Sequence, residues 1–296
     1  MSRLLSAFLA VVLLGFGGFL LLSAPQSVDV GQYEALTGDA AKGELVFWAA
    51  GCASCHAAAD AKGADELVLT GGQEFPSAFG TFLAPNISPD ATQGIGGWTL
   101  VEFANAVTLG VGRAGEHLYP ALPYNAYNKM LPQDVADLKA FMDGLPPSAE
   151  ASKPHQVGFP FNIRRSLGIW KLLFENTDWV IAGDLTPEQT RGRYIAEALA
   201  HCGECHTPRN ALGGLQRSAW LSGAPNPSGK GRIPNITPWK LTWSAAEVVE
   251  YLTSGFTPEF DSVGGHMAHV VENMAKLPAS DRQAVAAYLQ LVPAVN

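Results

Sequence analysis

The chain has 296 residues, 47% of them hydrophobic and 16% charged, which is enough to bury a core and long enough for two domains of roughly 100 to 200 residues. Acidic residues outnumber basic ones 27 to 19, the net charge is -8 and no basic run occurs, which argues against a nucleic-acid partner. The 31 Gly and 20 Pro point to short helices joined by shaped loops.

The first element is an uncharged run from Leu4 to Leu22 that follows Arg3. As a helix it would span about 28 Å, close to the thickness of a hydrocarbon core. The run is longer than a typical signal-peptide core of about 7 to 15 residues, and Pro25 disfavours cleavage after Ser23-Ala24. Residues 1–24 are therefore expected to be a single N-terminal transmembrane anchor, the alternative being a cleaved signal peptide. In either case the body lies outside the cytoplasm, because the only flanking positive charge, Arg3, is on the N-terminal side. In a bacterium this means the periplasmic side of the inner membrane, or the free periplasm if the segment is removed.

The body reads as a tandem repeat. Its first copy has a helical stretch over Ala40 to Ala50, then Cys52-Ala-Ser-Cys55-His56, then Pro85-Asn-Ile-Ser-Pro89, then Trp98-Thr99-x-x-Glu102, and a closing helix after Pro132. A polar, proline-bearing stretch over 146–156 follows, and FNIRRSLGIWKLLFEN restores helical periodicity in a linker expected to strap the two copies together. The alternative for that helix is to lie on the membrane, which Arg164, Arg165 and Lys171 beside Trp170 and Phe174 would suit. The second copy starts at Thr186-Pro187 and repeats Cys202-Gly-Glu-Cys205-His206, Pro234-Asn-Ile-Thr-Pro238 and Trp243-Ser244-x-x-Glu247 at offsets of 150, 149 and 145 positions. A last helix follows Pro278, with Ser280 and Gln283 spaced as a capping box. The Thr99/Glu102 and Ser244/Glu247 pairs are spaced in the same way. With no sustained period-two alternation, the expected fold class is all-α. The domains are expected at 37–147 and 185–293, joined by a linker with a helix over 148–184.

A helical turn carrying Cys-x-x-Cys-His supplies two thiols for the two vinyl groups of a porphyrin and a nitrogen ligand beneath its iron. Both copies carry it, and together they use all four cysteines of the chain. A zinc site would require the two cysteine pairs to meet, although each sits in its own repeat. A thioredoxin-like motif lacks its strand and helix context. A disulfide inside each pair leaves the trailing histidine unexplained. Two covalently bound haem c groups are therefore expected, on Cys52, Cys55 and His56 and on Cys202, Cys205 and His206, with His56 and His206 as axial iron ligands.

The motif that opens each copy, the PNI[ST]P loop, the W[ST]xxE helix and a final helix with a methionine upstream resemble class I cytochrome c domains. The tandem form resembles diheme c-type cytochromes related to the membrane-anchored cytochrome subunits of bacterial alcohol, aldehyde and gluconate dehydrogenases. The three-haem subunits of that group have a third Cys-x-x-Cys-His domain, which this sequence does not show after its second copy. The resemblance covers about 37 to 293. It implies an electron carrier with no catalytic residue, which takes electrons from a periplasmic dehydrogenase and passes them to a cytochrome or terminal oxidase. The alternative is a diheme redox enzyme such as a peroxidase, with one haem site left open.

The sixth ligands separate these readings, since methionine saturates the iron and raises its potential. In the second copy the segment around Met267 resembles the family's G-x-M-A-x-V-V ligand stretch, with His266, His269 and Met274 as alternatives. In the first copy the relatives' YPAMPY reads Tyr119-Pro-Ala-Leu122-Pro-Tyr124, and leucine cannot bind iron. Some diheme relatives resemble YPAFPYTSYTKM, which puts the sulfur at Met130. His117 and an open site are the alternatives, and Met142 reads as core packing.

Overall fold

The computed structural model describes residues 2–227, 229 and 231–296. Met1, the first residue of the expected anchor, lies outside the described residues. Helix α1 (Ser2–Leu22) projects from the body, and the apolar window within Arg3–Leu22 is entirely unburied. The first half of the body then contains α2 (Ala40–Ala49), α3 (Cys52–His56), strands β1 (Glu74–Ser77) and β2 (Gly80–Leu83), α4 (Leu100–Leu109), α5 (Tyr124–Tyr127) and α6 (Pro132–Met142). Helix α7 (Ser166–Phe174) occupies the linker. The second half contains α8 (Pro187–Arg193), α9 (Cys202–His206), β3 (Ala224–Pro225), β4 (Arg232–Ile233), α10 (Ala245–Ser254), α11 (His266–Ala275) and α12 (Ala279–Leu289).

The fold is mostly helical, and the all-α expectation needs one correction. Two small antiparallel hairpins, β1 with β2 and β3 with β4, lie in the loops after the cysteine motifs. They are too short for any alternating pattern to register in the sequence. The first is held from outside, since Thr81 and Gln156 exchange backbone hydrogen bonds of 3.1 and 2.9 Å.

The two halves are built around the same helix crossing. In the first, α2 packs on α6 so closely that a Cβ on Gly43 would lie 1.9 Å from the carbonyl oxygen of Asp137. In the second, α8 packs on α12, and a Cβ on Gly192 would lie 1.9 Å from the carbonyl oxygen of Ala284. Helix starts follow the expected chemistry at α4 and α10, where Thr99 with Glu102 and Ser244 with Glu247 form reciprocal capping boxes. At α12 the expectation fails. Pro278 is the N-cap and Ser280 falls inside the first turn, so its hydroxyl does not cap the helix.

Helix α8 continues into a π-helical turn over Tyr194–Leu199, and Ala200 N donates to Ile195 O at 2.7 Å. That extra residue leads into His201, which holds a left-handed conformation at φ 41 where the first half has Gly51 at φ 66. Buried apolar residues from both halves, including Phe47, Trp48, Tyr127, Ile195, Leu199 and Tyr288, form one continuous core.

Candidate haem-binding sites

Each Cys-x-x-Cys-His motif forms a single helical turn, α3 and α9, so both thiols and the imidazole project from one short segment. None of the four cysteines is in a disulfide. The loop that follows is anchored back onto the turn in the same way in each half. Gly71 N donates to His56 O and Gly223 N to His206 O, both at 2.7 Å. In the first half Gln73 adds hydrogen bonds from Nε2 to the carbonyls of Ser54 (3.1 Å) and Ala57 (2.8 Å).

The PNI[ST]P loops orient the histidines. His56 Nδ1 donates to Pro85 O at 2.9 Å, and His206 Nδ1 donates to Pro234 O at 2.8 Å. A carbonyl only accepts, so these bonds fix the proton on Nδ1 and leave the lone pair on Nε2. The asparagine after each proline shapes the loop that aims the carbonyl. Asn86 Oδ1 accepts from Ser88 N and Asn235 Oδ1 accepts from Thr237 N, both at 2.9 Å. Their amide groups reach past the closing helices to the carbonyls of Ser148 (2.8 Å) and Glu150 (2.7 Å), and of Val295 (2.8 Å).

The electrostatics suit neutral ligands. Burial pushes the pKa of His56 and His206 below the ordinary histidine value, against the opposing carbonyl hydrogen bond. Burial likewise pushes the thiol of Cys52 up to about 12 and that of Cys202 up to about 12, and the partner cysteine of each pair adds to this. Cys55 rises to about 11, through burial and then through the neighbouring Cys205 thiol of the other half. Such thiols stay protonated at neutral pH, unlike the low-pKa thiolates of redox or nucleophilic cysteines. His56 is only half-buried and Cys55 is exposed, so one side of this turn is open. Among the described residues no three His, Cys, Asp or Glu side chains group to hold a metal. Paired free thiols on one turn, beside a histidine whose Nε2 lone pair is uncommitted, fit a covalently attached haem.

Met130 is 6% exposed and lies in the turn after α5, where its N–H donates to Tyr127 O at 2.9 Å. Leu122 packs half-buried against the core. His117 has a different occupation: its Nε2 donates to Ser23 O at 2.9 Å, and the residue is almost fully buried. Met267 lies in the first turn of α11, which starts directly after Gly265 at φ 59 and ψ -148. His266 and His269 sit on that helix too, and His269 pairs with Glu272. Met142 and Met274 are core residues at 4% and 2% exposure.

Several contributors were not visible in the sequence. Tyr127 Oη donates to Ala50 O at 2.8 Å beside the first motif, and its ring meets that of His201 edge-on at 5.6 Å. Behind the second motif, buried Glu197 accepts from Tyr288 Oη (2.8 Å) and from the backbone of Val180 and Ile181. The asparagines of the PNI[ST]P loops could have been picked out by their recurrence, but Tyr127 and Glu197 carried no local signal.

Comparison with known proteins agrees with this geometry. Residues 40–146 match the model of the family described as Cytochrome c. The whole chain is 55% identical over 296 residues to a protein of Cereibacter sphaeroides named "Diheme cytochrome c-type", covering 100% of both. It is 39% identical over 260 residues to the "Fructose dehydrogenase cytochrome subunit" of Gluconobacter japonicus, covering 86% of this chain and 52% of that one. It is 34% identical over 269 residues to the "Alcohol dehydrogenase (quinone), cytochrome c subunit" of Gluconacetobacter polyoxogenes, covering 86% and 56%. The chain thus spans about half the length of the two dehydrogenase subunits. These relatives are named as cytochromes, and the chain is an electron-carrying type of protein, not an enzyme in its own right. It belongs to the cytochrome c family, whose haem c is covalently bound, alongside proteins named as a diheme cytochrome and as cytochrome subunits of dehydrogenases.

Proposed function

We propose that the chain is a two-haem electron relay held on the periplasmic face of the inner membrane by α1. It accepts electrons from a periplasmic dehydrogenase and delivers them to a cytochrome or terminal oxidase. In this reading residues 37–147 and 185–293 are two cytochrome c domains, each with one haem. Cys52 and Cys55 with axial ligands His56 and Met130 hold the first, and Cys202 and Cys205 with His206 and Met267 hold the second. When bound, haem iron supplies reversible one-electron chemistry.

The observation that carries the reading is the duplicated histidine geometry. Each ring is pinned through Nδ1 to the carbonyl of an equivalent proline, 2.9 Å in one half and 2.8 Å in the other, with Nε2 unprotonated. An orienting acceptor of this kind fixes the tautomer and makes the ligand nitrogen more basic. The 2.9 Å hydrogen bond from Asn273 of α11 to Ser54 of the first motif supports transfer between the two sites within one chain. Burial of Met130, at 6% exposure, in the same apolar core as Ala53 of the first motif supports it as the sixth ligand of the first site.

Potentiometric titration followed by visible spectroscopy tests the assignment. Two one-electron components are expected, and Met130→Ala should abolish the sulfur-to-iron band of one haem and open it to carbon monoxide. An unchanged spectrum in that variant would overturn the Met130 assignment, and carbon monoxide binding to the unmodified protein would overturn the saturated relay.

A further inference from the structure

Helix α1 does not join the body through a free tether. Ser23, fully buried, is gripped from two sides: His117 Nε2 donates to its carbonyl at 2.9 Å, and Arg165 Nε donates to its hydroxyl at 2.8 Å. Arg165 Nη2 also reaches Leu20 O at 2.5 Å, so a cation from the linker satisfies an open carbonyl at the end of α1. Gly168 of α7 comes so close that a Cβ there would lie 2.5 Å from Ser23 O.

This grip locates the membrane surface on the body. If the apolar window of α1 fills the hydrocarbon core, the boundary falls near Leu20 to Ser23, where Arg165 and Gly168 make contact. Beside those residues the chain displays side chains that water does not favour: Phe159 is 82% exposed, Ile163 46%, Leu172 57% and Leu173 64%. Ile163 precedes Arg165 by two positions, and Leu172 lies one turn beyond Gly168. The opposite side of α7 is occupied, with Leu167, Gly168 and Lys171 buried and Lys171 Nζ donating to Gly110 O at 2.9 Å. The apolar side chains therefore face outward while the helix is fixed from behind.

We propose that the segment from Phe159 to Leu173 is a second membrane contact, inserted at the boundary between lipid headgroups and acyl chains beside the exit of α1. It holds the body in one orientation on the bilayer. The inference rests on the reading of α1 as a retained anchor. Lipid is the occupant because the patch is continuous with the end of a membrane-length helix and is joined to it by Arg165 and Gly168. An interfacial helix of this kind lies in the membrane plane with its apolar face about 5 to 10 Å below the headgroups.

Once all four native cysteines carry haem, a single introduced cysteine is the one reactive thiol, which permits site-specific spin labelling. The full-length, haem-loaded chain would be labelled in turn at Leu13→Cys, Phe159→Cys, Leu173→Cys and Lys42→Cys, and placed in nanodiscs of phosphatidylethanolamine and phosphatidylglycerol. Relaxation by oxygen should exceed relaxation by a water-soluble nickel chelate at 13, 159 and 173, with the order reversed at 42. Labels at 159 and 173 that behave like the label at 42 would overturn the proposal, whatever the label at 13 reports. Lipid depth at 13 with aqueous 159 and 173 removes the second contact and leaves the anchor standing. Aqueous readings at all three remove both, and lipid depth at 159 and 173 with an aqueous 13 supports the contact without the anchor. If the patch instead serves a partner protein, both labels stay aqueous in the nanodisc and become protected only when that protein is added, which also overturns the proposal.

Discussion

The side-chain amide of Asn273 donates a 2.9 Å hydrogen bond to the hydroxyl of Ser54, and these residues lie 219 positions apart. Ser54 sits between Cys52 and Cys55, and Asn273 is on α11, the helix that begins with His266 and Met267. The first cysteine motif is thus clamped by the helix that carries the proposed ligand of the other half. Nearby, Lys276 pairs with Glu66 at 2.6 Å and stands over the Trp48 ring at 3.3 Å.

Removing the clamp should loosen the two halves from each other without unfolding either. Asn273 is 7% exposed, so Asn273→Ala loses one hydrogen bond and leaves a small cavity, at a cost of about 1 to 2 kcal/mol. Thermal melting should show a drop of a few degrees, and hydrogen exchange should rise over 266–276 and around α3 in particular. Unchanged exchange at α3 would mean that the contact carries no coupling.

The duplicated helix crossing predicts matched sensitivity. Gly43→Ala and Gly192→Ala each force a methyl group against a backbone carbonyl that would sit 1.9 Å away, so the helices must separate. Overpacking of this kind costs about 1 to 3 kcal/mol. Both variants should melt earlier by similar amounts, and tolerance at one position alone would argue against equivalent halves.

The asparagine of each PNI[ST]P loop should matter through the histidine it helps to orient. Asn86→Ala leaves the carbonyls of Ser148 and Glu150 without their donor and frees the loop bearing Pro85 O. One of the two reduction potentials should shift while covalent haem is retained, and Asn235→Ala should shift the other. If both variants move the same potential, the pairing of loop with site is wrong.

Lys171 supplies a pH dependence. Burial lowers its pKa to about 8, with partial opposition from Glu175, whereas the unfolded chain titrates near the ordinary lysine value of about 10.4. Between these values the unfolded state binds more protons, so the contribution of Lys171 to stability rises with pH above about 8. The charged form carries the burial cost below that point. From pH 7 to pH 9 the gain is about 1 kcal/mol, or roughly 2 °C in melting temperature. Lys171→Gln should flatten this slope, and an identical slope in the variant would assign it to other groups such as Lys129, which is also lowered to about 8.

Local signals were strong where the chemistry is local. The cysteine motifs and the capping boxes at Thr99 and Ser244 could be read from spacing, because their partners lie within one turn. The hairpins were not legible, since four and two residues are too few for a period to emerge and Gln156 completes the first from the linker. The cap at Ser280 failed because Pro278 already sets the extended backbone that precedes α12. Asn273, Tyr127 and the grip of Arg165 on Ser23 join residues 77 to 219 positions apart, and no periodicity encodes such pairings.

Intact-mass spectrometry of the matured, denatured chain tests the central claim most directly, because thioether bonds survive denaturation. The full-length protein should carry the mass of two haem groups, and Cys202→Ala with Cys205→Ala should carry one. A matured protein with a single haem, or one that releases haem into acid acetone, would contradict the account.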